Sequence, residues 1–200
     1  IFIFGIIVFQ AYFMDITYDE AYTYMNTGRI QDVWKVYQFR IANTHLLNSL
    51  LMTVSTLFFP YNDFAIRIPN VLLAAFYIST AISFSKTVKN RLIFLGILLL
   101  YYFLIEYFSM ARGYGMSAAF ILASIFVYKN QEKFTKPQLW LSYLFLLAIY
   151  ANYVAIPFVM VFATYIFVVD YKFKLPEVPK KTRNWIVGLF VLSIYGFFSV

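Results

Sequence analysis

Between Phe64 and Ser85 the chain runs through twenty-two residues with one charged side chain, Arg67. A run of that length and polarity is what a helix needs to cross the ~30 Å hydrocarbon core of a bilayer. Comparable runs recur along the sequence, which is 62% hydrophobic and 12% charged, whereas soluble domains are roughly 45–50% apolar. The pattern predicts an all-α fold, a polytopic transmembrane helix bundle. Its spans are expected at Ile1 to Phe13, Phe64 to Ser85, Leu92 to Phe108, Tyr114 to Tyr128, Leu139 to Tyr150, Val154 to Asp170 and from Trp185 onward, about seven in all. Ile1 to Phe13 has neither the basic start nor the small-residue cleavage site of a secretory signal, so it reads as a span. The chain opens on Ile and ends within an apolar run, so the first and last spans are expected to be truncated and the chain to be a fragment.

One segment breaks the pattern. Thr44 to Phe59 is apolar, yet its sixteen residues reach only ~24 Å as a helix. His45, Asn48 or Ser49, Thr53 and Thr56 fall along one stripe, so the segment is expected to lie at the membrane surface and to end at Pro60-Tyr61-Asn62-Asp63. Charge agrees with that placement. If Thr44 to Phe59 does not cross, the loops KTVKNR, KNQEKFTKPQ and YKFKLPEVPKKTRN share one side and hold eleven of the sixteen basic residues. By the positive-inside rule that side is cytoplasmic. The other side receives Asp15, Asp19, Glu20, Asp32, Asp63 and Glu106, six of the nine acids.

The net charge of +7 is therefore a matter of topology. No basic helix or aromatic RNA-binding pattern accompanies it, which argues against nucleic acid as a partner. Zero cysteines exclude disulfides and thiolate metal sites. No internal repeat is visible, and Lys172 to Asn184, with two prolines and five basic residues, is the one candidate hinge.

Asp15 to Arg29, within an outside loop of about 14–63, holds three acids beside a lipid-soluble frame. Carboxylates near hydrocarbon are costly, about 2.5 to 3.5 kcal/mol at a helix centre, so a cluster kept there usually faces water, metal or substrate. Thr17-Tyr18-Asp19-Glu20 reads as a capping box and predicts a helix from about Tyr18 to Asn26, closed by Gly28. A second, amphipathic helix is expected beyond it, with Ile30, Val33, Trp34, Tyr37 and Ile41 on one face.

The order of segments is a span, YDEAYTY in an outside loop, RIANTHLLNSLLM, AIRIPNVLL entering a span, and EYFSMARGYGMSAAF at the next outside turn. This resembles the GT-C superfamily of integral-membrane glycosyltransferases, in particular the bacterial relatives of protein O-mannosyltransferases and of the aminoarabinose transferase of lipid A. It covers essentially all 200 residues and corresponds to the N-terminal transmembrane module of a longer enzyme. The Asp-Glu pair is its most specific element. The resemblance implies a multi-pass bacterial inner-membrane protein with its active site outside the cytoplasm, taking sugar from a polyprenyl-phosphate donor. The acceptor would be a hydroxyl on a glycan, lipid or protein.

Carried onto this chain, the family's reactive aspartate is Asp19, which would take the acceptor's proton as the sugar is transferred. Glu20 is the second catalytic candidate, although the capping box already accounts for it, and Asp19 itself could be a first-turn carboxylate on the helix dipole. Arg112 and Arg67 are candidates for the donor phosphate, because guanidinium grips phosphate oxygens in bidentate fashion. Asp63, four residues before Arg67, is that arginine's alternative partner. His45, Asn48 and Tyr114 complete the substrate-binding candidates, and Gly113 and Gly115 are expected to let substrate approach the backbone. The family often places an acidic pair at the second outside turn, linked to metal; this chain has Arg112-Gly113-Tyr114-Gly115 there, with Glu106 upstream. No cofactor is required by the residues, and Asp15 and His45 are the candidates should a divalent metal bind. The rival readings are a transporter or flippase of lipid-linked sugars and a non-catalytic membrane subunit.

Overall fold

The computed structural model describes residues 1–27, 45–60 and 62–172. The expected helix from Ile30, the closing Gly28, most of the hinge segment and the run from Trp185 lie outside the described residues. The regular structure among the described residues is helical: α1 (Phe2–Phe13), α2 (Tyr18–Thr27), α3 (Leu46–Phe58), α4 (Asp63–Ser85), α5 (Arg91–Leu99), α6 (Tyr102–Ser109), α7 (Gly113–Lys129), α8 (Pro137–Ala151) and α9 (Ala155–Lys172), with one 3₁₀ turn at Gln131–Lys133.

By length and composition, α4 alone among the described helices is long and apolar enough to cross a membrane. The number rises to three if α1 with α2, bent by 67°, and α5 with α6, bent by 50°, each count as one span. The single span expected over Leu92 to Phe108 is thus two helices, parted at Leu100 and Tyr101 without a proline or glycine at the break. The bend lets α5 pack on α4 while α6 turns onto α1. The expected spans in α7 and α8 are helices of 17 and 15 residues, about 25 and 22 Å long at 1.5 Å per residue.

On α3 the polar side chains turn inward and several large apolar ones outward. On α3, Asn48, Ser49, Thr53 and Ser55 are buried, whereas Leu50, Val54, Leu57 and Phe58 are exposed. Of the polar stripe read from the sequence, His45, Asn48, Ser49 and Thr53 are buried and Thr56 is half-buried. Inside α4, Pro69 has no N–H for the carbonyl of Ala65, which an unbroken helix would pair. The Ser55 hydroxyl of α3 donates to that carbonyl at 2.6 Å instead.

Two rings of contacts define opposite ends of α4. Near its start, Arg67 meets α1 and α2, while α7 opens beside the end of α8. Near its finish, about 25 Å away along the axis, Phe84 packs edge-on against Phe94 and Phe126, and Phe126 against Phe134. The basic turns at 86–91 and 129–138 therefore lie at the end of the bundle away from Asp19 and Glu20.

Candidate functional site

The capping box forms as its spacing predicts. Thr17 N–H donates to Glu20 Oε2 at 2.9 Å, and the Glu20 amide reaches Thr17 Oγ1 at 3.4 Å. Glu20 nevertheless does more than cap. Its side chain is fully buried against an equally buried Arg67, which donates from Nε to Oε1 at 2.9 Å and from Nη2 to Oε2 at 2.8 Å. The Ala111 N–H donates to Oε1 at 2.6 Å. Four donors thus occupy the fully buried carboxylate, so the expectation of Glu20 as a catalytic group is corrected: its oxygens are engaged inside the protein.

The same geometry corrects the phosphate role expected of Arg67. Its Nη1 donates to the carbonyls of Ala11 and Met14 at 3.0 and 2.6 Å, and its Nη2 to that of Asp15 at 2.9 Å. With the two bonds to Glu20, all five guanidinium N–H groups are bonded inside the protein. Asp63 is not its partner; that residue sits in the first turn of α4, where the helix dipole favours a carboxylate.

Asn48 is also turned inward. Its Nδ2 donates to the Ala111 carbonyl at 2.8 Å, and its Oδ1 accepts from Asn70 Nδ2 at 2.9 Å. Gly113 and Gly115 serve packing. A Cβ on Gly113 would lie 1.7 Å from the Ala151 carbonyl oxygen, and one on Gly115 would lie 2.8 Å from the Phe108 ring. The room expected there for substrate is filled by protein.

Four candidates do converge on a partly open position. Asp19, on the first turn of α2, forms an ion pair with Arg112, which immediately precedes α7, and both side chains are 28% exposed. The Arg112 Nε is buried without a hydrogen-bond partner. His45, just ahead of α3, packs edge-on against Tyr114 at 5.1 Å, and Tyr114 stacks on Tyr107 at 4.9 Å. Burial, then the positive charge of Arg112, push the imidazole down to about 4, with Asp19 pulling the other way. His45 is therefore neutral at physiological pH and cannot supply the cationic phosphate contact that a protonated ring would.

Asp15 is exposed, with its backbone carbonyl held by Arg67. Among the described residues no group of three or more His, Asp or Glu side chains is arranged to hold a metal ion. Sequence reasoning did not single out Asn70, Tyr107 or the backbone of Ala111. Asn70 had a signal, since it lies three residues after Arg67, on the same face in the apolar first half of the helix. No family model, no curated protein and no solved structure matches the chain.

Proposed function

We propose that this chain is the membrane module of a glycosyltransferase that moves a sugar from a polyprenyl-phosphate donor to an acceptor hydroxyl, with Asp19 as general base and Arg112 as the phosphate contact. The observation that carries the reading is the half-open Asp19–Arg112 pair at the end of the bundle away from the basic turns. A base and a cation side by side at a partly open position match a reaction that deprotonates one group and discharges another. A donor phosphate takes Arg112 and releases Asp19. The acceptor oxygen then attacks the anomeric carbon, its proton passes to the Asp19 carboxylate, and the carbon–oxygen bond to phosphate breaks with its electrons going to the leaving phosphate. Attack opposite the leaving group inverts the configuration. The site faces outside the cytoplasm, because the basic turns at the other end mark the inside.

The test is Asp19→Asn. Membranes containing the protein are given polyprenyl-phosphate-linked hexoses and pentoses, and transfer is followed by label. The variant should insert normally and lose about 10²–10⁴-fold in rate, the usual contribution of a general base. Transfer equal to the parent's ends the mechanism. The pair would alternatively be a clasp between α2 and the turn before α7, and a charge swap separates the two. Asp19→Arg with Arg112→Asp preserves a clasp and its stability, whereas an enzyme remains inactive.

A further inference from the structure

Arg112 is bracketed by a backbone that three other helices hold in place. Its own N–H donates to the Met110 carbonyl at 2.9 Å, closing a three-residue turn with Ala111 at the centre. The N–H of Ala111 is taken by Glu20 Oε1 and its carbonyl by Asn48 Nδ2, at 2.6 and 2.8 Å. Asn70 of α4 steadies the Asn48 amide, and Arg67 of α4 steadies the Glu20 carboxylate. On the other flank Gly113 lies against the Ala151 carbonyl with no room for a side chain. Adjacent residues of α2 thus grip the turn twice, Glu20 through the backbone before Arg112 and Asp19 through its guanidinium.

We infer that Asn48 and Glu20, steadied by Asn70 and Arg67, are positioning residues that clamp the Ala111 peptide groups from both sides and so hold Arg112 on Asp19. Its catalytic consequence rests on the proposed function, since it assigns these residues to setting the geometry of that pair. Two features distinguish the clamp from ordinary core polarity. The carboxylate and the amide meet the same residue of a turn rather than each other, and that residue immediately precedes the arginine.

The chain has a single histidine, and it sits beside Arg112, Asp19 and Tyr114, so it reports where the guanidinium is. The protein in detergent micelles, carrying ¹³C-histidine and a tag without histidine, gives one imidazole signal to titrate. Arg112→Gln sets the upward shift that full loss of the cation produces. Asn48→Ala is expected to raise the midpoint by at least half of that shift in the parent background and to leave it unmoved in the Arg112→Gln background, because it acts through Arg112. Asn70→Ala, a milder loosening of the same amide, should show the same pattern with a smaller shift. No shift with either variant, or a shift of equal size in the Arg112→Gln background, overturns the clamp. This readout needs no transfer activity. An active Asp19→Asn would remove the catalytic reading and leave the clamp to be decided by the titration alone.

Discussion

Replacing Arg67 by methionine removes a side chain that hydrogen-bonds α1, the α1–α2 connection and α2 from within α4. The substitution leaves the Glu20 carboxylate buried without its cation, and breaking a buried pair from one side costs about 3–5 kcal/mol. It also strips the carbonyls of Ala11, Met14 and Asp15 of their donors, and each acceptor that stays buried and unpaired adds about 1–3 kcal/mol. Taking only one of the three as wholly unsatisfied, the loss is about 5 kcal/mol. For a chain of this size each kcal/mol moves the midpoint by about 2–4 °C, so Arg67→Met should lower Tm by ~10–20 °C. Circular dichroism of the protein in detergent measures it. Glu20→Gln/Arg67→Met should recover part of the loss, because no charge is then left uncompensated. A Tm for Arg67→Met within about 2 °C of the parent would refute the claim that this buried pair ties the first two helices to the fourth.

The single histidine gives a pH dependence of known sign. With its folded value near 4 against an ordinary 6.5, the unfolded chain binds a proton that the folded chain refuses between those limits. Stability is therefore full above pH 6.5 and falls as pH drops towards 4, by about 3 kcal/mol. His45→Gln should remove that part of the loss, as seen in Tm measured at pH 7.5 and 4.5. Gly113→Ala forces a methyl onto the Ala151 carbonyl and should cost about 3 kcal/mol or more. Gly96→Ala, where nothing lies within 4 Å, should leave Tm unchanged or raise it by the ~1 kcal/mol of helix propensity. Because the chain has no cysteine, single cysteines at exposed Tyr18 and at Lys89 can be labelled with a membrane-impermeant maleimide in intact cells. Tyr18→Cys should react and Lys89→Cys should not; the reverse pattern, or reaction at both, removes the proposed orientation.

The sequence was legible where the signal was local. The capping box is a spacing of three, and both of its bonds form. The polar stripe of α3 was equally plain as a set of residues, but not in its direction. A polar stripe on a surface helix would ordinarily face outward, whereas Asn48, Ser49 and Thr53 turn in, where Asn48 finds the Ala111 carbonyl and Asn70. Helical spacing offers Asp63 to Arg67 as a neighbour four residues away, yet the arginine chooses Glu20, forty-seven residues distant. That choice follows from burial, since a first-turn aspartate is stabilised in place and a buried carboxylate needs a cation. The break at Leu100 had no proline or glycine to announce it; both parts of the apolar run pack on α4, and the bend brings the second onto α1 as well. Asp19 with Arg112 was the pairing least accessible to pattern, because ninety-three residues separate them along the chain.

Arg67 also changes what the bend after α1 requires of its surroundings. A helix that stops and restarts at 67° leaves carbonyls at one end and amides at the other, and these normally call for water. Here one guanidinium donates to the carbonyls of Ala11, Met14 and Asp15, while the Glu20 carboxylate it holds accepts from the Thr17 amide. The corner therefore brings its own polar partners from a third helix. A kink so provided for satisfies its backbone from within the protein and does not call for a column of solvent to do so.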